Sequence, residues 1–291
     1  MPDRRTVRRP IAWLGLVACL VLWAGVLSAP ARAATPRVAA LTPFSANTLA
    51  YLGVRPVVIG QTVGQAQYSS RLGGVPVLRL SHPFGPNLEQ LAQRNPRLVL
   101  TAPAWARGST GMRKLGMRVR EFEPRSVSAA ARDMRSIGRL VGRSAGGRML
   151  SSWLNTQVRN ASRGIRRRPT VLLILGVGRT PYAYLANSWG GDLVRRSGGR
   201  LLTGGLRAPG GYARISNEFV VARNPDYIIA VPHGNPGDIP RMKRYLQSNP
   251  SWRTTKAARR GHIYVSTSAG LLQPTVNPAL TIVGLRKVLG T

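Results

Sequence analysis

Acidic residues are scarce in this chain. Only 9 of its 291 residues are Asp or Glu, against 43 Lys and Arg, for a formal net charge of +34. So few carboxylates argue against two-carboxylate hydrolytic chemistry. They also argue against a dedicated metal centre, which needs three or four His or carboxylate ligands in one place. Of the three histidines, His262 sits in a short strand-like motif, and His82 and His233 have few acids near them in sequence. There is one cysteine, Cys19. Beyond the first thirty-odd residues, disulfides, thiolate metal sites and cysteine nucleophiles are therefore excluded. No nucleophile elbow and no phosphate-binding glycine loop is present. Gly176-Val177-Gly178 lacks the third glycine of a dinucleotide fingerprint. The sequence predicts no enzyme, no cofactor and no metal site built by the protein itself.

Long apolar runs are absent as well, except for one at the start. Arg4, Arg5, Arg8 and Arg9 precede an apolar stretch from Ile11 to Leu27, which Ala31-Arg32-Ala33 follows. That order is the pattern of a cleavable secretory signal peptide over 1–33. Leu16-Val17-Ala18-Cys19 also has the form of a lipoprotein box; because the apolar run continues past Cys19, full cleavage is the reading preferred over a lipid anchor. The expected location is extracytoplasmic. Five arginines and one aspartate lie in 1–33, so the remainder carries 38 basic and 8 acidic residues, net +30. Such a field attracts polyanions. The basic residues are spread along the chain rather than gathered in a stripe, so no nucleic-acid partner is expected. An exported protein that binds a polyanion stands as an alternative on charge alone.

A repeat is the most informative positive feature. NLEQLAQRNPRLVLTAP at 87–103 and SNEFVVARNPDYIIAVP at 216–232 align at a fixed offset of 129. Each has a polar helix cap (Asn87, Ser216), an acid two positions on (Glu89, Glu218), a short helix stopped at Asn-Pro, and a wholly apolar run. Caps and first-turn acids suit helix N-termini, and a short apolar run reads as a strand buried on both faces. Two copies predict two similar α/β lobes, 34–125 and 169–291, each opening with a strand (38–41 and 170–175). Between them, 126–165 lacks proline and repeats apolar residues at helical spacing (Ala130, Met134, Ile137, Val141, Met149, Trp153, Leu154, Val158). This predicts one long interlobe helix over 126–168, with any break near Gly146-Gly147.

With those elements in place, the chain resembles the class III periplasmic binding proteins that serve ABC importers of ferric siderophores, haem and cobalamin. The matching segments are Arg37–Pro43 with Asn47-Thr48-Leu49 and Leu52-Gly53; Asn87-Leu88-Glu89 with Asn95–Val99; Ser216-Asn217-Glu218 with Asn224-Pro225-Asp226; and Pro250-Ser251-Trp252, Ala257-Ala258 and Gly261–Tyr264. Together they cover 36–289. The resemblance implies two α/β lobes joined by a long helix, with the ligand in the cleft between them. It also implies a monomer that captures a small-molecule metal chelate and an ABC permease as partner. One acid on each lobe, Glu89 and Glu218 here, is implied to dock on permease arginines.

Ligands of open α/β sheets sit beyond the carboxyl ends of the strands. Applied to both lobes, that rule nominates Phe44, Ser45, His82, Phe84 and Trp105 on the first. On the second it nominates Arg179, Tyr182, Trp189, Tyr212, Arg214 and His233. Tyr184 and Trp189 are the members expected to pack in the core. Aromatic faces suit a large chelate and arginines suit its anionic groups. The expectation is thus an anionic ferric-siderophore-type ligand, with cobalamin and then haem next, the last through an axial His or Tyr. A direct metal-ion receptor is a further alternative.

Overall fold

The computed structural model describes residues 36–61, 68–177, 180–234, 236–266 and 268–291. The expected signal peptide, Cys19 and Arg179 lie outside them. The first half runs β1 (Val38–Ala40), α1 (Pro43–Tyr51), β2 (Val58–Gln61), β3 (Val77–Ser81), β4 (Gly85–Pro86), α2 (Leu88–Gln93), β5 (Leu98–Thr101), α3 (Ala106–Lys114) and β6 (Arg118–Glu121). Two helices follow, α4 (Val127–Leu140) and α5 (Ser144–Ala161). The second half is β7 (Thr170–Val177), β8 (Thr180–Tyr184), α6 (Trp189–Arg196), β9 (Arg200–Leu201), β10 (Tyr212–Arg214), α7 (Asn217–Arg223), β11 (Tyr227–His233), α8 (Ile239–Gln247), α9 (Lys256–Arg259), β12 (Ile263–Val265), α10 (Ala269–Leu272) and α11 (Ala279–Leu289).

Each half is a mixed sheet with helices on both faces. The first has strand order β4-β3-β2-β1-β5-β6, parallel except for β4; the second has β10-β8-β7-β11-β12, with β9 also on β7 and with β8 and β10 antiparallel. The repeat falls where its pattern requires. β5 and β11 are central strands, and Leu98-Val99-Leu100 and Tyr227-Ile228-Ile229 are buried on both faces. The caps behave alike: Asn87 and Ser216 accept from the backbone N–H three residues on, Gln90 and Phe219, at 3.0 and 3.2 Å. Asn95 and Asn224 both adopt positive φ, 47° and 43°. A left-handed residue ends the helix and a proline prevents its restart.

The interlobe segment departs from the expected single helix. α4 and α5 fold back on one another as an antiparallel pair, and the turn is at 141–143, where Gly142 takes φ 69°. Gly146-Gly147 makes no break. Gly138 and Gly147 lie where the two helices cross, so closely that a Cβ on Gly138 would stand 2.9 Å from the Gly147 Cα. The main apolar cluster runs continuously through this hairpin. It joins Val38 and Leu100 of the first sheet to Leu173 and Ile229 of the second by way of Met134, Ile137 and Leu154. Two smaller clusters fill the outer faces, under α2 and α3 in the first half and under α8 and α9 in the second. The hairpin is tied to the second half by Asp192 of α6, whose Oδ2 accepts from the Val127 N–H at 2.9 Å. Arg125 Nη1 donates to the Pro209 carbonyl.

Candidate functional site

Because most strands within each sheet are parallel, the segments leaving their carboxyl ends collect on one edge. Two of them face each other. Tyr68-Ser69-Ser70, after β2, and Ser266 and Ser268, after β12, line opposite sides of a cavity of about 730 Å³. Asn47 and Tyr51 of α1 complete the first-half wall, and Asn277, Leu280 and Thr281 on and before α11 complete the second. Ile229, Leu271, Val276 and Leu285 supply the apolar lining.

Local bonding holds this wall in shape. The Ser69 N–H donates to Asn47 Oδ1 at 2.7 Å, pinning the post-β2 segment to α1. The Tyr68 hydroxyl donates to the Gly60 carbonyl, and burial pushes its phenol up to about 12, so it stays protonated at physiological pH. Tyr51 stacks on Trp153 of α5 with centroids 6.1 Å apart, and the Arg71 guanidinium lies 5.6 Å from the same ring. Tyr264 stacks over Tyr227 at 6.3 Å, and Tyr227 in turn on His262 at 4.3 Å. Two buried oxygens in the lining, Thr275 Oγ1 and Asn277 Oδ1, have no hydrogen-bond partner among the described residues. Buried polar atoms are ordinarily satisfied, so these are open acceptors in the wall. No Asp, Glu, Lys, Arg or His is among the residues lining the cavity. Nor do any three His, Cys, Asp or Glu cluster as metal ligands among the described residues.

The residues nominated by the strand-end rule lie elsewhere. Phe44 and Ser45 are buried in the first turn of α1. Phe44 packs in the core, and the Ser45 N–H and hydroxyl both bond Thr42 Oγ1. Trp105 is buried under the first sheet, where a short helical turn folds its ring inward. Trp189 is buried and donates Nε1–H to the Gly270 carbonyl at 2.9 Å. These four are interior positions and offer no face to a ligand. Tyr184 is fully buried, as expected.

Another group comes together on the second sheet. Val231, Leu175, Tyr182 and Arg214 are paired in one row across four strands, and His233 and Val177 form the next row on the same face. Tyr182 is half-buried; Arg214 and His233 are exposed. Tyr212 sits edge-on to Tyr184 at 4.8 Å, and burial together with the nearby Glu123 carboxylate raises its phenol, against the pull of Arg125. On the first half, His82 and Phe84 are exposed, with Arg107 5.8 Å over the Phe84 ring. None of these lines the cavity.

The cavity residues had a signal in the sequence that aromatic and arginine placement does not carry. In a chain that is 18% charged, the stretches 56–70 and 263–285 contain no Asp, Glu, Lys, Arg or His. These two runs supply both the post-β2 and the post-β12 wall.

Comparison with known proteins follows this geometry. The family model "Periplasmic binding protein" matches residues 38–269. The chain is 25% identical over 215 residues to the high-affinity heme uptake system protein IsdE of Staphylococcus aureus, covering 71% of each. The S. aureus IsdE structure complexed with heme superimposes with a TM-score of 0.75 at 21% identity, over 88% of this chain and 99% of that one. An ABC transporter substrate-binding protein from Listeria monocytogenes EGD-e gives 0.76 at 21% identity, over 87% and 98%. The periplasmic vitamin B12 binding protein BtuF of Vibrio cholerae gives 0.71 at 13%, over 88% and 97%.

Proposed function

The chain belongs to the periplasmic binding protein family, a family of solute receptors rather than enzymes, and from that premise we propose that it captures a metal chelate outside the cytoplasm and delivers it to an ABC permease. The observation that carries this reading is the cavity of about 730 Å³ between the strand-end segments of the two lobes. Its volume falls in the range of small-molecule and cofactor sites. Relatives named for haem and for vitamin B12 support a large chelated metal as the class of cargo. The mature protein begins at Ala34 after removal of the signal peptide, works as a monomer and has no nucleic-acid partner. Its lobes are 34–125 and 169–291. Tyr182, Arg214 and His233 form a secondary rim that meets the cargo or the permease. Glu89 and Glu218, exposed at the second positions of equivalent helices α2 and α7, are the docking acids.

The experiment is a fluorescence titration of residues 34–291 with ferric siderophores, cobalamin and haem. Trp153 is stacked on the cavity residue Tyr51 and is the natural reporter. Saturable one-to-one quenching by a chelate, lost in Trp153→Phe while calorimetric binding persists, is the expected result. Absence of saturation with every chelate overturns the reading.

A further inference from the structure

The cavity wall is uncharged on a protein that is charged almost everywhere else. With a net charge of +30 outside residues 1–33, an anion-binding site would be simple to build, since arginine is available on nearly every loop. The lining instead offers hydroxyls, amides and three phenols above an apolar floor. The Tyr68 phenol is held protonated by burial and adds no charge. The sequence extends the pattern beyond the described atoms, because 56–70 and 263–285 hold no ionisable residue of the Asp, Glu, Lys, Arg or His types.

We propose that the cavity takes an electrically neutral chelate, one whose metal charge is cancelled by its own donor arms, and that it discriminates against polyanionic chelates. This rests on the binding-protein reading above and names the cargo class within it. The physical reason is desolvation. An anion moved from water into this cavity meets no counter-charge, and an unpaired buried charge is costly. The long-range field of the basic surface does not replace a contact partner, because salt screens it over roughly 8 Å. A trivalent metal held by three monoanionic bidentate arms is neutral, whereas the same metal held by three dianionic arms carries three negative charges. The first kind presents amide and hydroxyl groups at its periphery and a compact apolar body. Asn47, Asn277, Thr275 and Ser266 can bond the former, and Tyr51 and Tyr264 can pack on the latter. The open acceptors Thr275 Oγ1 and Asn277 Oδ1 call for donors on the ligand or on a bridging water, which a neutral amide-bearing chelate supplies.

The test compares a neutral ferric tris-hydroxamate, a trianionic ferric tris-catecholate and haem. Each is titrated into residues 34–291 at low and high salt, about 0.02 M and about 0.5 M, which shortens the Debye length from roughly 20 Å to about 4 Å. The neutral chelate is expected to bind one-to-one, with affinity changing less than about 2-fold between the two salts. The trianionic chelate is expected to bind at least about 100-fold more weakly at high salt. Ser266→Lys, at a partly exposed wall position, is expected to bring the trianionic chelate to within about 10-fold of the neutral one. That gain is not produced by simple destabilisation. Equal or tighter high-salt binding of the trianionic chelate or haem to the unaltered protein would falsify the neutral-cargo proposal and leave the chelate-receptor reading standing. If no chelate saturates, the receptor reading fails, and the proposal fails with it.

Discussion

Asn95 and Asn224 occupy the same left-handed position in the two lobes but are held differently. The Asn95 backbone carbonyl accepts from Arg37 Nε at 3.0 Å, whereas Asn224 uses its side chain, Oδ1 accepting from the Lys256 N–H at 2.7 Å. Glycine tolerates positive φ. Asn95→Gly is therefore expected to stay within about 0.5 kcal/mol of the parent, and Asn224→Gly to lose about 1 kcal/mol more, the worth of one hydrogen bond. Urea denaturation of the two variants decides it; equal losses would remove the side-chain bond from the account. Two aspartates titrate in opposite senses. Burial pushes Asp192 up, but bonds from Arg196, the Val127 N–H and Arg195 outweigh it, and its carboxyl ends below the usual range. Its contribution is present above the unfolded value near pH 4 and is lost as pH falls through the folded one. Burial raises Asp133 to about 6, against the pull of Arg132. Folding there favours the protonated form, so stability is lost as pH rises from about 4 to about 6. Asp133 is substantially solvated, so screening reduces the effect. Asp133→Asn is expected to gain about 1 kcal/mol at pH 7 and nothing at pH 3.5. Asp192→Asn is expected to lose about 1–3 kcal/mol at pH 7 and less at low pH. Thermal melts across pH 3–8 separate the two.

Among the elements, the α4–α5 hairpin is the one on which both lobes depend. A Cβ on Gly138 would meet Gly147 Cα and the Arg143 carbonyl, both at 2.9 Å; one on Gly147 would meet the Met134 carbonyl at 3.0 Å. Backbone atoms cannot rotate away, so either alanine must spread the helices. Gly138→Ala is expected to cost about 1–3 kcal/mol despite alanine's better helix propensity. A melting temperature equal to the parent's would show that the crossing is loose. This crossing also explains what the sequence could and could not convey. The apolar spacing of Met134, Ile137, Leu154 and Val158 announced helix, and all four are buried. The position of the break was not legible, because glycine serves both to turn a chain and to let two helices touch. Gly142 does the first and Gly147 the second. The Asn-Pro repeat was legible because capping, left-handed termination and a doubly buried strand are all local. The site was less so. Trp105 and Trp189 follow strands as a ligand contact should, but the turn that carries each ring directs it inward, and no local pattern encodes that direction. The charge-free runs 56–70 and 263–285 record a property of the cavity itself, which is why they mark its walls where aromatic residues do not.

At the scale of the whole molecule, the few acids are not spread as the bases are. Glu121 ends β6 and Glu123 follows it; Glu89 and Glu218 open α2 and α7, which begin at the carboxyl edges of their sheets; and Asp238 follows β11 on the same edge. The edge that carries the cavity is therefore where a strongly basic protein presents negative charge. Glu218 is also drawn below the usual carboxylate range, first by a bond from the Ser216 hydroxyl, and stays ionised well into acid. Two exposed carboxylates on equivalent helices, one per lobe, suit a partner with a matching pair of cations. Each contact is short-ranged, whereas repulsion from the remaining positive charge is screened beyond roughly 8 Å, so local pairing decides the approach. Neither acid lines the cavity. Reversing both, Glu89→Arg with Glu218→Arg, is expected to leave chelate affinity within about 2-fold while cutting permease association and uptake by at least about 10-fold; each single reversal should give part of the loss, because the sites are on different lobes. The association should weaken with added salt in the parent and much less in the double variant, since its ionic component has been removed. Loss of chelate binding in the double variant would move these acids from the docking surface to the binding site, and unchanged uptake would leave them as helix-terminal charges that complement only their own dipoles.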